Sequence, residues 1–169
     1  KIKKFIKKTS ILYNLVRFSI ISYHHFISIF KWKNLAKNKI IKIELGSGKK
    51  FGTDGWTTVD LVSADIWWDL KKGIPLPSNS VDRIYSSHLL EHIGYSELIP
   101  FLNECHRVLK VDAEFSVCVP NFRFFINAYL EGRLFRDRKT WWKPGHIDTG
   151  SLIDQLNYVA YMNGEHKYM

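Results

Sequence analysis

Within "SSHLLEHIG", His88, Glu91 and His92 form the pattern H-x-x-E-H. On a helix, histidines at this spacing lie one turn apart and can both ligate zinc, while the glutamate between them activates water. Such a centre needs both histidines well inside a helix and a third ligand from elsewhere in the fold. Here His88 directly follows a run that reads as a strand, and Gly94 ends the segment two residues after His92, leaving barely two helical turns. A zinc hydrolase built on this motif is therefore disfavoured, and no metal is expected.

A second stretch, "IELGSGKKFG", places Gly46 and Gly48 directly after an apolar run. Glycines there let a ligand approach the backbone without a Cβ clash. The surrounding pattern is one of short apolar runs ended by turn residues. Strands are expected at Ile40 to Leu45, in "GWTTVDL" ending at Asp60, in "ADIWWDL", in "VDRIYSS" and in "AEFSVCVP", closed by Pro120. "SELIPFLNECHRVLK" predicts an amphipathic helix, with Ser96 as N-cap and Leu98, Leu102, Cys105, Val108 and Leu109 at helical spacing. Strands alternating with helix imply an α/β fold with a mostly parallel sheet.

In such a sheet, ligands bind at the carboxyl ends of the strands, near the point where strand order reverses. Those ends carry Gly46 and Gly48, Asp60, Asp69, and Ser86 to His88. An acid ending the second strand can accept hydrogen bonds from ribose hydroxyls, which points to a nucleoside-containing cofactor. Seven residues, Lys49 to Gly55, separate Gly48 from Trp56. They are too few for the long helix whose N-terminus would hold a pyrophosphate, so NAD and FAD are disfavoured. S-adenosylmethionine has no phosphate and needs a glycine turn, an acid for its ribose and a pocket for adenine. Candidates for all three are present.

The 169 residues, 46% apolar and 15% aromatic, suffice for one sizeable core rather than a disordered tail. Two cysteines, Cys105 and Cys118, are too few for a disulfide framework; both read as buried thiols in a reducing compartment. The net charge of +9 is unevenly placed: eleven basic residues and no acid precede Glu44, leaving 14 basic against 16 acidic residues beyond them. The basicity thus belongs to an arm, residues 1–39, set before a domain at 40–169. Its apolar stretch is interrupted by Asn14, Arg17, His24 and His25, which argues against a spanning helix, and it shows no signal-peptide cleavage site. Two readings stand: an interfacial helix on an anionic membrane surface, or a helix packed on the domain with its lysines in solvent.

"IELGSG", "GWTTVDL", "DLKKGIPLPSNSVDRIYSSHLLEHI" and "ECHRVLK...FSVCVPNF" together resemble class I S-adenosylmethionine-dependent methyltransferases, in particular the small methyltransferase type 11-like group found beside polysaccharide biosynthesis enzymes. The resemblance covers Ile40 to Asn121, with a weaker echo from His146 to Met169. It implies a Rossmann-like fold and S-adenosylmethionine as cofactor. By that likeness Glu44, Gly46, Ser47 and Gly48 line the methionine end, Asp60 binds the ribose, Asp69 and Leu70 flank adenine, and Ser86 belongs with the cofactor contacts. His88 then faces the acceptor, as an orienting group or a base, while Glu91 and His92 cap or pair locally.

Two departures from the family's pattern stand out. After "RVLK" the family has Pro-Gly-Gly where this chain has Val111, Asp112 and Ala113, so an altered turn is expected before the fifth strand. The family also continues beyond Met169 with a helix and further strands, so the chain reads as a C-terminally incomplete piece.

On the acceptor side, residues 121–150 combine Arg123, Arg133, Arg136, Arg138, Lys139 and Lys143 with Phe135, Trp141 and Trp142, and His146 and Asp148 lie near enough in sequence to join them. Arginine suits phosphate or carboxylate, and tryptophan faces suit sugars or bases. An anionic glycan or lipid-linked acceptor fits, in the cytoplasm or at the inner face of the membrane. An RNA or membrane-binding module that keeps the fold without catalysis is the competing class.

Overall fold

The structure, a computed structural model, describes residues 10–133 and 151–167. The chain divides into two compact units, Lys1–Ser86 with Pro100–Val117 and Ser87–Ile99 with Cys118–Met169.

The first unit is built on a five-stranded sheet of order β3-β2-β1-β4-β5. Its strands are β1 (Lys42–Leu45), β2 (Trp56–Asp60), β3 (Ile66–Trp67), β4 (Val81–Ser87) and β5 (Leu109–Cys118). All run parallel. β1 is flanked by β2 and β4, so strand order reverses at β1 and β4, the switch point at which α/β sheets bind ligands. Register pairs Leu45 with Val59 on one side and with Ser86 on the other. Ile43, Leu45, Val59 and Ile84 share one buried face, and Ile41, Val81 and, on α2 (Tyr95–Val108), Phe101, Cys105 and Val108 are also buried. β1 alternates half-buried and buried residues rather than reading apolar throughout. Lys42 and Glu44 lie on its other face, where the Lys42 ammonium stands 5.5 Å over the Trp56 ring.

α1 (Ser10–Leu35) packs against β3. Ser28, Trp32 and Leu35 are buried, at the i, i+4, i+7 spacing of one helical face. The Ser28 hydroxyl accepts from the Trp67 amide at 3.1 Å, and His24 stacks on the Trp67 ring at 3.8 Å. The packed reading of the arm therefore holds from His24 to Leu35. Asn14 to Ile20 remain exposed, as do Tyr23, Phe26, Ile29 and Phe30. The lysine cluster before Thr9 lies outside the described residues.

In the second unit, a 3₁₀ turn (Leu90–His92) follows the end of β4, and α3 (Phe122–Leu130) packs on α4 (Leu152–Tyr161). The His88 amide donates to the Cys118 carbonyl at 2.9 Å, and the Lys167 amide donates to the Glu91 carbonyl at 2.7 Å.

Several expectations are corrected. β1 starts at Lys42, two residues after the expected Ile40. α2 begins at Tyr95, with Gly94 supplying the carbonyl that accepts from Glu97 and Leu98, so Ser96 lies inside the first turn rather than capping it. β5 begins at Leu109, and Asp112 within it has φ of 62°, the left-handed conformation that glycine favours and asparagine or aspartate tolerates. Cys105 is buried, and burial pushes its thiol up to about 12, whereas Cys118 is exposed.

Candidate cofactor site at the β1–β4 switch point

The loop leaving β1 turns on two left-handed glycines, Gly46 (φ 70°) and Gly48 (φ 66°). The Gly46 amide donates to the Val59 carbonyl at 2.9 Å, and the Gly48 amide donates to Asp60 Oδ2 at 2.8 Å. Asp60 Oδ1 accepts from the Leu61 amide at 2.6 Å. The acid that ends β2 is thus held rigidly beside the glycine loop, with lone pairs to spare on both oxygens. Open space surrounds the position a Cβ would take at Gly48. Between the glycines, Ser47 is buried and its Oγ has no hydrogen-bond partner among the described residues. Ser86, opposite Leu45 on β4, is fully buried and its Oγ is likewise unpartnered. Glu44, half-buried on β1, pairs with the Lys50 ammonium at 3.2 Å.

Behind this loop stands a frame that the sequence patterns did not single out. Asp65 Oδ2 accepts from the Gly52 amide at 2.8 Å, the Thr58 amide at 3.0 Å and the Thr58 hydroxyl at 2.9 Å. Burial raises the Asp65 carboxyl, but the donors from Thr58 and Gly52 outweigh it and hold the group below its ordinary value. A Cβ at Gly52 would meet the Trp56 carbonyl oxygen at 1.9 Å, so the residue is glycine because the backbone passes itself too closely for any side chain. No local motif announces Asp65; its role exists only once β2 and the 49–55 loop are folded together.

Past β3, Asp69 caps the 3₁₀ turn Leu70–Lys72, its Oδ1 accepting from the Lys71 amide at 3.1 Å. Leu70 is half-buried in that turn. The Trp68 amide donates to the Asp60 carbonyl at 2.7 Å, which ties this segment to the end of β2.

His88, in the second unit, has φ of 55°, and its Nδ1 lies 3.1 Å from Glu91 Oε1. Its side chain is half exposed while that of Glu91 is buried. Of the basic and aromatic residues read as an acceptor side, Arg123 and Arg133 are exposed; Phe135, Arg136, Arg138, Lys139, Trp141, Trp142, Lys143, His146 and Asp148 lie outside the described residues.

Strand order, glycine loop and acid are the parts a nucleoside site needs, and they do not name a ligand. Residues 43–117 match the family described as a methyltransferase domain, whose members use S-adenosylmethionine as methyl donor. The match is to the class I S-adenosylmethionine-dependent methyltransferases. No curated protein and no solved structure matches the chain. The residues of the matched segment fit that donor. Buried hydroxyls on Ser47 and Ser86 without partners are costly unless a ligand's polar groups complete them, and both stand at the ends of the two strands that bracket the switch point.

Proposed function

We propose that this methyltransferase acts on an anionic, lipid-linked glycan acceptor while seated on an anionic membrane surface at the cytoplasmic face. The observation that carries the reading is α1: Leu15, Phe18, Phe26 and Phe30 are all exposed on a helix whose other side is anchored to β3 through Ser28 and packs Trp32 on Trp68. Exposed aromatic and aliphatic side chains on a helix flanked by lysines suit the headgroup boundary of a bilayer. Among the described residues no helix is long and apolar enough to cross a membrane. A reducing compartment fits two cysteines that form no disulfide.

Bound S-adenosylmethionine supplies a methyl group on a sulfonium that is already a good leaving group. The chain's work is therefore positioning, with proton removal from the acceptor. In this reading Asp60 accepts from the ribose hydroxyls, Asp69 and Leu70 border adenine, and Glu44, Gly46, Ser47, Gly48 and Ser86 hold the methionine end. His88 is the base. With its Nδ1 hydrogen directed at Glu91 Oε1, Nε2 carries the free lone pair that a proton acceptor needs.

The test offers radiolabelled S-adenosylmethionine and three acceptors: an anionic lipid-linked oligosaccharide in vesicles, its water-soluble analogue, and RNA. Transfer to the lipid-linked acceptor should exceed transfer to the analogue and fall with His88→Ala, while S-adenosylmethionine affinity is largely retained. Preferential methylation of RNA, or of the soluble analogue, overturns the reading.

A further inference from the structure

We propose that Glu91, His92 and His166 form a binding site for one divalent metal ion of the zinc class. One ligand atom of each lies within 4.8 Å of the other two, and all three residues belong to the second unit. The inference does not rest on the choice of methyl acceptor.

Each ligand is prepared by its neighbours. The Glu91 carboxyl is buried: Oε1 meets His88 Nδ1 at 3.1 Å, and Oε2 is sealed from solvent with no hydrogen-bond partner among the described residues. A buried carboxylate with one oxygen left bare is destabilising, and a cation beside that oxygen offsets the cost. His92 Nδ1 lies 3.1 Å from the Glu165 carbonyl oxygen, and His166 Nδ1 lies 2.7 Å from the Val159 carbonyl oxygen. A carbonyl only accepts, so both Nδ1 atoms carry hydrogen and both Nε2 atoms keep their lone pairs. A metal-ligating histidine is characteristically oriented in this way, its second ring nitrogen donating to a carbonyl or carboxylate. The two imidazoles stand 5.0 Å apart, edge to face, and His166 is itself buried.

Backbone geometry explains how residues so distant in sequence meet. The 3₁₀ turn Leu90–His92 presents Glu91 and His92, and the bond from the Lys167 amide to the Glu91 carbonyl brings the His166 segment alongside. The trio therefore differs from the one that H-x-x-E-H suggests. His88 is the positioning partner of the carboxylate rather than a ligand, Glu91 is a ligand rather than a base, and the second histidine comes from the far end of the described chain.

Two imidazoles and one carboxylate suit Zn²⁺ with a fourth position left for water; Mg²⁺ and Ca²⁺ prefer all-oxygen sets. Bonds of about 2.1 Å in a tetrahedral ion put ligand atoms about 3.4 Å apart, so the trio draws inward on binding.

The full chain, stripped with chelator and titrated calorimetrically with Zn²⁺, should bind about one ion per chain. Loaded with Co²⁺ instead, it should show d–d absorption of a nitrogen- and oxygen-ligated ion without sulfur charge-transfer bands. Glu91→Gln and His166→Ala should each weaken Zn²⁺ binding about tenfold or more, and His88→Ala should weaken it less than either. Absence of stoichiometric binding by the wild type, sulfur charge-transfer bands, or unchanged affinity in both ligand variants overturns the site. The Co²⁺ spectrum is read on the wild type and so decides the matter even where a variant fails to fold.

Discussion

The Gly48 amide donates to the Asp60 carboxylate at 2.8 Å, joining the loop that leaves β1 to the acid that ends β2. One side chain thereby fixes the glycine loop and remains able to accept from a ribose. Asp60→Ala removes both contributions. S-adenosylmethionine affinity should fall by about 1.5–3 kcal/mol, the scale of hydrogen bonds to a charged group, and Asp60→Asn, which keeps an acceptor for the Gly48 amide, should lose less. Calorimetric titration of the three proteins checks the order; equal affinities would remove Asp60 from the site.

Two glycines a few residues apart should fail in different ways. At Gly52 an added Cβ would stand 1.9 Å from the Trp56 carbonyl oxygen and 2.8 Å from Asp65 Oδ2, so the backbone itself must shift. Gly52→Ala should cost about 1–3 kcal/mol or more of stability. At Gly48 nothing lies within 4 Å, and the strain comes only from φ of 66°. Gly48→Ala should cost about 1–2 kcal/mol and mainly weaken cofactor binding. Thermal melts with and without S-adenosylmethionine separate the two effects.

Glu104 grips Arg107 through both oxygens, to Nε and Nη2 at 2.8 Å, and also accepts from the Ile74 amide at 3.1 Å. Arg107 in turn donates to the Ile74 and Leu76 carbonyls, pinning the loop after Gly73 to α2. The hydrogen bonds from Arg107 bring the Glu104 carboxyl down from 4.5 to about 2. A depressed carboxyl contributes stability that is full above its unfolded value and is lost as pH falls through the folded one. The unfolding free energy should therefore decline between about pH 4.5 and pH 2. Glu104→Gln should flatten that decline and cost about 1–2 kcal/mol at neutral pH, a figure reduced for the partial exposure of both groups. Denaturant titrations across pH would show the effect; an identical acid limb in the variant counts against the pair.

β2, β3 and β4 are legible in the sequence because each is a short stretch rich in β-branched, aromatic or aliphatic residues ended by a turn residue, a signal written in neighbouring letters. The glycine loop and Asp60 were legible for the same reason, lying within a few residues of those ends. What was not legible depends on meetings across the chain. Asp65 acquires its three donors only when Gly52 and Thr58 arrive, and nothing near "GEHKYM" ties His166 to Glu91 and His92. The extension of β5 back to Leu109 was missed because Asp112 sits within a strand in a left-handed conformation, a feature that reads locally as a turn.

The two faces of α1 should respond oppositely to substitution. Trp32, 1% exposed, packs edge-on to Trp68 at 6.3 Å, and Trp32→Ala should cost about 3–5 kcal/mol. Phe26 and Phe30 touch each other at 5.4 Å and are otherwise exposed. Phe26→Asp with Phe30→Asp should change stability by within about 0.5 kcal/mol each and sharply reduce co-sedimentation with anionic vesicles. Unchanged vesicle binding by the double variant would detach α1 from the membrane.

A fully buried hydroxyl without a partner is where stability and binding part company. Ser86 is 0% exposed at the end of β4, and its Oγ has no hydrogen-bond partner among the described residues. Leaving such a group bare costs about 1–3 kcal/mol, whereas an alanine methyl there leaves nothing unsatisfied. Ser86→Ala should therefore leave the ligand-free protein as stable as the wild type or more so, by up to about 1 kcal/mol once the lost volume is counted. With S-adenosylmethionine the order should reverse, because only the serine can complete its hydrogen bonding against the ligand. The variant's affinity should drop by about 0.5–1.5 kcal/mol, the net worth of one neutral hydrogen bond, and its thermal midpoint should rise less on addition of the cofactor. Melting both proteins across a series of S-adenosylmethionine concentrations tests both halves at once. A destabilised ligand-free variant with undiminished affinity would make Ser86 part of the core alone.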